Sequence, residues 1–352
     1  MAVFFFWEKH CIIGEQIPKK EDEIMRTKVL DLLRHAEGYI SGEKIASVLG
    51  ISRTAVWKHI RELREAGYRI DSAPKNGYIL RETPDLLLPA EIANGLGTEL
   101  VGTSIAYYDT IGSTNQEAKR LAAEGAAEGT IVVAEEQAGG RGRLERPFFS
   151  PHGKGIWFSL ILRPAFLPQE APKCTLMAAV AVARAMKAFG LKAAIKWPND
   201  ILYEGKKLVG ILTEMSAEMD KINYVVIGTG INVNIGEAEF PEPIRAVATS
   251  LSIMRGEPLS RVAFFQAVLR AMDSLYRAVA RDDFAPVFDE WRRFSVTLGQ
   301  EVRVISATGG EAEAFVGRAV DIDADGALLV DTEEGRRRVV AGDVSIRPKG
   351  KE

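Results

Sequence analysis

Apolar residues recur along this chain with three different periods, and each period marks a different kind of element. From about Ile24 to Leu80 they fall at helical spacing and then shorten, which predicts three helices followed by a small hairpin, the first helix opening at Met25. From about Pro84 to Arg293 short apolar runs alternate with helical ones such as Cys174–Phe189 and Val262–Ala280, as in a mixed α/β domain. From Ser295 to Pro348 the period drops to two, in Val302-Arg303-Val304-Ile305 and Ala327-Leu328-Leu329-Val330. Turn residues at Gly309-Gly310, Asp325-Gly326 and Glu334-Gly335 punctuate that stretch, so it reads as a small β-barrel or sandwich. The segment Arg81–Pro89, where Pro84 and Pro89 flank an apolar run, reads as a linker. The expected class is therefore α+β, with an unassigned extension over 1–24 and domains over 25–82, 83–294 and 295–352.

Local signals are sharpest near the N-terminus. Ser41 is placed to cap a helix through Leu49 that Gly50 ends, and Ser52 to cap a second from Arg53 to about Ala66, stopped by Gly67. Two helices joined by a short glycine-containing turn form a helix-turn-helix. Val56, Ile60 and Leu63 share the inward face of the second helix, while Arg53, Thr54, Trp57, Lys58 and Arg61 share another. Ser52, Arg53, Thr54, Lys58 and Arg61 are the candidate DNA contacts, since a recognition helix meets base edges and phosphates with its N-terminal end. Asn76-Gly77 between Tyr68-Arg69-Ile70 and Tyr78-Ile79-Leu80 suits a tight hairpin, with Lys75 on a wing. The alternative is an amphipathic helix pair whose charges are merely solvated; caps, basic face and hairpin together favour DNA.

Composition narrows the remaining classes. The net charge of -3 excludes a wholly basic surface, so any nucleic-acid contact must come from one local face. Cys11 and Cys174, the only cysteines, cannot build a disulfide framework or a cysteine metal cluster and fit a reducing cytoplasm. The apolar start Phe4-Phe5-Phe6-Trp7 runs straight into Glu8, Lys9 and His10, far short of the roughly 20 residues a membrane helix needs. It also lacks a basic leader and a small-residue cleavage site. His10, His35, His59 and His152 lack metal-ligand spacing, so no protein-held metal is expected.

The chemistry concentrates in the middle domain. Gln137-Ala138-Gly139-Gly140-Arg141-Gly142-Arg143-Leu144-Glu145-Arg146 lies between the strand-like runs Thr130–Ala134 and Gly155–Leu162. Glycines beside arginines let backbone approach an anion while guanidinium forks pair with its oxygens. No Gly-Lys-Ser/Thr follows, which excludes a Walker loop, and a dinucleotide fingerprint is absent. Lys196-Trp197-Pro198-Asn199-Asp200 and Lys206-Lys207 flank a hairpin turn at Glu204-Gly205 and form a second basic cluster. Lys206 reads as a solvated turn residue, and Lys207 adjoins a buried-looking strand. Gly228-Thr229-Gly230 marks a place where a ligand or a packed strand comes close. Ser113-Thr114-Asn115 precedes a helical run from Gln116 to Ala123; alone, Ser113 is an N-cap, and beside other polar groups the cluster can also bind a polar ring.

Taken in order, these motifs resemble the bifunctional biotin–protein ligase and biotin-operon repressor family, over nearly all of residues 25–348. The resemblance implies a winged helix, a catalytic domain of the class II aminoacyl-tRNA synthetase and biotin ligase type, and an SH3-like β domain. It implies that Ser113, Thr114, Asn115, Gln137, Arg141, Gly142, Arg143 and Lys207 contact biotin, with Arg143 and Lys207 as the catalytic pair. Lys196, Trp197, Asn199 and Asp200 would frame the nucleotide. The family loop commonly carries a third glycine and a tryptophan; here Glu145 and Phe148 stand there, Pro147 follows Arg146, and Glu145 can pair with a loop arginine. The implied cofactors are biotin, ATP and Mg2+. The implied partners are the biotin carboxyl carrier protein, operator DNA and a second copy of the chain, with no membrane. Three rivals are a sensor without catalysis, a ligase whose helix-turn-helix is only structural, and a lipoate or octanoate transferase. The retained Arg141, Arg143, Lys196 and Lys207 oppose the first, the basic face around Arg53, Lys58 and Arg61 the second, and the arginine loop the third.

Overall fold

A computed structural model describes residues 11–13, 20–281, 283–306, 310–341 and 344–348. Most of the extension over 1–24 lies outside them, but Cys11–Ile13 forms a strand (β1) that runs parallel to residues 105–107 at the edge of the central sheet.

The N-terminal domain follows the caps. Helix α1 (Lys20–Arg34) opens at Lys20 rather than Met25, and α2 (Gly42–Leu49) and α3 (Arg53–Glu65) follow. Ser41 and Ser52 each accept a backbone N–H at 3.1 Å, from Lys44 and Ala55, and Gly50 closes α2 at φ 68°. Val56, Ile60 and Leu63 bury inward against Val29, Leu30 and Ile45. Strands β2 (Arg69–Ala73) and β3 (Gly77–Glu82) form the wing. Lys75 takes the left-handed turn conformation at φ 66°; Gly77 is needed because a Cβ there would lie 2.1 Å from the Ile40 carbonyl, against which the hairpin pairs.

The short helix α4 (Pro89–Ala93) leads into the central domain. There β4 (Ser104–Ile111), α5 (Thr114–Ala123), β5 (Thr130–Gln137), β6 (Gly155–Leu162) and α6 (Lys173–Ala188) come first. Four strands follow: β7 (Ala194–Lys196), β8 (Asp200–Tyr203), β9 (Lys206–Glu218) and β10 (Lys221–Asn232). Helices α7 (Glu242–Arg245), α8 (Leu251–Arg255), α9 (Arg261–Arg281) and α10 (Ala285–Phe294) complete it. The eight-stranded sheet runs β1-β4-β5-β6-β10-β9-β8-β7, parallel from β1 to β5 and antiparallel beyond. One face is sealed by α6 and α9, with the Phe158 ring packed at a tilt against Phe265, centroids 4.8 Å apart. Against the other face pack α5, through Ala118 and Leu121, and a small cluster around Trp157. The expected linker is no free tether, because Leu87 is fully buried in the central core.

The C-terminal part is an antiparallel five-stranded sheet: β11 (Glu301–Ser306), β12 (Gly310–Ile322), β13 (Leu328–Thr332), β14 (Gly335–Val339) and β15 (Val344–Pro348). The turns at Asp325-Gly326 and Glu334-Gly335 lie where the pattern placed them, while Gly309 lies outside the described residues. Its order is β14-β13-β12-β11-β15, and among the described residues β14 and β15 do not pair, so the sheet is open where a closed barrel was one expectation. Trp197 joins it to the central domain: its backbone N–H donates to Thr297 and its indole N–H to the Gly326 carbonyl. Among the described residues no helix is long and apolar enough to cross a membrane.

Candidate functional site

The N-terminus of α5, the ends of β5 and β6, and the β9–β10 pair meet on the sheet face opposite α6. Ser113 occupies the N-cap position, yet its hydroxyl makes no capping bond. Gln137 does that work instead: its Oε1 accepts from the Thr114 N–H at 2.9 Å and from the Thr114 hydroxyl at 3.1 Å. The Gln137 amide nitrogen donates to Ser150 Oγ at 3.1 Å. Asn115 Nδ2 donates to Glu214 at 2.8 Å and to the Leu212 carbonyl, and its Oδ1 accepts from Ser159 Oγ at 2.6 Å. Lys119 holds Glu214 in turn at 2.7 Å. Thr114 and Asn115 are thus fixed by protein, and the Ser113 hydroxyl stays available to a ligand.

The two glycines on β10 answer to side chains rather than to a packed strand. A Cβ at Gly228 would lie 2.0 Å from Asn115 Oδ1, and one at Gly230 would lie 2.5 Å from the Phe148 ring. These contacts shape a cavity of about 440 Å³ lined by Ser113, Thr114, Asn115, Gln137, Arg141, Gly142, Asn199 and Lys207, with Phe148 and Phe158 as its apolar walls. Polar groups converging between two apolar walls suit a small organic ligand.

The arginine loop closes on itself above this cavity. Gly142 N–H donates to the Arg146 carbonyl at 2.8 Å and Phe148 N–H to the Gly140 carbonyl at 2.9 Å, while Arg141 pairs with Glu145. Leu144 and Glu145 both sit at φ 55°, in the left-handed region where side chains are disfavoured, so Glu145 adopts the backbone that a glycine would take without strain. Arg143 points away from the first cavity, donating to Asn199 Oδ1 at 3.3 Å and to the Ala341 carbonyl of the C-terminal domain.

A second cavity of about 670 Å³ adjoins the first and is lined by Gly142, Arg143, Lys196, Trp197, Asn199, Asp200 and Lys207. Lys207 faces both: its Nζ lies 2.7 Å from Asp200 Oδ1 and 5.8 Å from the centre of the Phe148 ring. Antiparallel pairing sets Lys196 opposite Asp200 across the β7–β8 turn. Lys206 pairs at the surface with Glu237 at 3.5 Å, as its turn position implied. A third, largely apolar recess of about 860 Å³ continues past Arg143 along Pro172, Thr175, Pro198 and residues 211–215. The pattern gave no sign of it, because its walls come from five separate segments. Ser159 was missed too, although a single hydroxyl in the run Gly155–Leu162 was a visible signal.

The DNA candidates Ser52, Arg53, Thr54, Lys58 and Arg61 are all exposed on α3. They differ in availability: Ser52 is used as the cap, Lys58 pairs with Asp22 at 3.0 Å, and Arg61 lies over the exposed Trp57 ring at 5.1 Å. Arg53 makes no ion pair among the described residues.

Fold and cavities together define a ligase of the biotin/lipoate kind joined to a helix-turn-helix domain. Residues 107–232 match the biotin/lipoate A/B protein ligase family, residues 26–79 an HTH domain, and residues 297–347 the biotin protein ligase C-terminal domain. The chain is 43% identical over 92% of its length to the bifunctional ligase/repressor BirA of Bacillus subtilis, covering 98% of that protein. It is 31% identical over 93% of its length to the protein of the same name from Escherichia coli, again covering 98% of it. The biotin protein ligase of Aquifex aeolicus, solved in complex with biotin and ATP, superposes with a TM-score of 0.60 at 28% identity, over 70% of this chain and 99% of that one. The chain belongs to the bifunctional biotin–protein ligase and repressor family.

Proposed function

We propose that this chain is an ATP-dependent biotin–protein ligase that also represses transcription in response to biotin. One observation carries the enzymatic half: residues spread from 113 to 207 converge on two adjoining cavities that share Gly142, Phe148, Asn199 and Lys207. The first cavity takes the biotin rings, with Ser113 and the Gln137 amide toward their polar edge; the second takes the nucleotide. Biotin and its nucleotide then meet at Lys207.

A carboxylate oxygen of biotin attacks the α-phosphorus of ATP; the new acyl–phosphate bond forms as the bond to pyrophosphate breaks. The carrier protein's lysine amine then attacks the acyl carbon, AMP leaves, and the amine's proton passes to solvent. Lys207 and Arg143 neutralise the charge that builds on phosphate, and the Gly140–Arg146 loop keeps water from the mixed anhydride. Magnesium would arrive on the phosphates, which suits a second cavity with one lining carboxylate, Asp200.

The acceptor is a biotin carboxyl carrier protein, the partner that the family resemblance implies. The regulatory half rests on the capped α2–α3 pair and the exposed Arg53 and Thr54. Two chains associating through their catalytic domains would set two winged helices on an inverted repeat of operator DNA. We keep the domain limits 25–82, 83–294 and 295–352, the class II synthetase type for the second and the SH3-like reading for the third. Incubation with labelled biotin, ATP and a carrier domain should give labelled carrier; no transfer overturns the enzymatic half. Binding to the upstream DNA should tighten when biotin and ATP are added, and an unchanged affinity removes the repressor half.

A further inference from the structure

The segment between the winged helix and the catalytic sheet plugs into both cores. Leu87 and Ile92 are fully buried in the catalytic core, while Leu88 and Ala90 pack against the winged-helix core. Hydrogen bonds to the Asp85 carboxylate and to the backbone at 87 and 92 pin the segment as well. Arg261 N–H donates to Asp85 at 2.8 Å, the Leu87 N–H donates to Glu135 at 2.6 Å, and Gln266 donates to the Ile92 carbonyl at 2.9 Å. Glu135 in turn meets Arg261 at 2.7 Å, both side chains sealed from solvent at 0% and 1% exposure. On the winged-helix side, the Glu91 carboxylate accepts from the Tyr68 hydroxyl and from Arg34. Glu91 is only 7% exposed, so losing these partners would strand a buried charge.

We infer that residues 85–92 are a rigid strut, keyed across the domain boundary by Glu91, that fixes α3 relative to the catalytic sheet and thereby sets which half-site separation a pair of chains accepts on duplex DNA. The DNA part rests on the proposed repressor reading; the strut itself does not. A free tether of this length would wander by roughly 16 Å, about five base pairs of rise, and would tolerate many operator spacings. A strut tolerates few. Glu135 also stands two residues before Gln137 in β5, so the strut's inner anchor and the ligand cavity share one strand.

The test uses the full chain with Cys11→Ser and spin labels attached through Ser47→Cys on α2 and Lys187→Cys on α6, both exposed sites. Cys174 is buried with its thiol pushed up to about 12, so it escapes labelling. The parent should show one narrow interlabel distance, and Glu91→Ala a broad one, with biotin transfer unchanged because Glu91 lines neither cavity. Tyr68→Phe, which keeps the core volume, should broaden it less and covers the case in which Glu91→Ala does not fold. On inverted-repeat duplexes, shifting the half-sites by two base pairs should weaken parent binding on the order of a hundredfold, and the broadened variant by about threefold or less. A broad distance in the parent, or a narrow one in both variants, overturns the strut; unaltered spacing preference in a broadened variant overturns its role on DNA. If the parent binds no inverted repeat at all, the repressor reading fails while the distances still decide the strut.

Discussion

Lys207 lies between the two cavities and is held there by Asp200, so a single ammonium can neutralise both a carboxylate and a phosphate. Replacing it, Lys207→Ala, should slow pyrophosphate release by roughly 10²- to 10³-fold, the usual cost of removing one preorganised charge donor from a transition state. Glu145 holds the other guanidinium, Arg141, in a surface ion pair. Glu145→Gly should free that side chain and relieve the left-handed backbone, lowering the KM for biotin by about threefold, since exposed pairs contribute at most about 1 kcal/mol; a steady-state titration with biotin checks it. Arg141, Arg143 and Lys207 stood out in the sequence by residue type, but Arg143, expected at biotin, turns from the first cavity to Asn199 and Ala341. Ser159 and Glu214 were not legible there: what they do depends on β-strand register carrying them to Thr114 and Asn115, 45 and 99 positions away.

Among the elements, β10 is read most strictly. Gly228→Ala should displace the Asn115 amide and raise the KM for biotin tenfold or more, because overpacking of this kind costs about 1–3 kcal/mol. A matched loss of melting temperature without a KM change would show instead that the strand merely packs. The α6–α10 contact is tuned by charge: the Arg184 guanidinium holds the Glu290 carboxyl below its ordinary range. A lowered carboxyl pKa stabilises above the unfolded value of about 4.3 and loses that contribution as pH falls through the folded one. Glu290→Gln should therefore narrow the difference in unfolding free energy between pH 7 and pH 3, read from urea titrations, by about 1 kcal/mol or less for this partly exposed pair. Helices with caps at both ends were readable one by one. The strut was not, since an apolar run between prolines looks like a tether when Glu135, Arg261 and Tyr68 lie far away in sequence. An alternating β pattern likewise predicts a sheet without saying whether its edges join.

At the scale of the whole molecule, a net charge of -3 leaves DNA affinity to the basic face of α3, where Lys58 and Arg61 are already paired with Asp22 and Glu65. Arg53→Ala should weaken binding to all sequences about equally and reduce the slope of log affinity against log salt by about 1. A loss confined to one base position would instead make Arg53 a reader of sequence. The order of the three domains was legible because each has its own period; their mutual attachment was not, because it is made by side chains that lie far apart in sequence. That attachment has a hereditary consequence. A gene shortened to begin after the wing would encode a ligase with Leu88 and Ala90 facing water and Glu91 stripped of Tyr68 and Arg34. Shedding the DNA-binding half would therefore leave an apolar patch at 88 and 90 to be made polar, whereas Glu91, released into water, would need no partner.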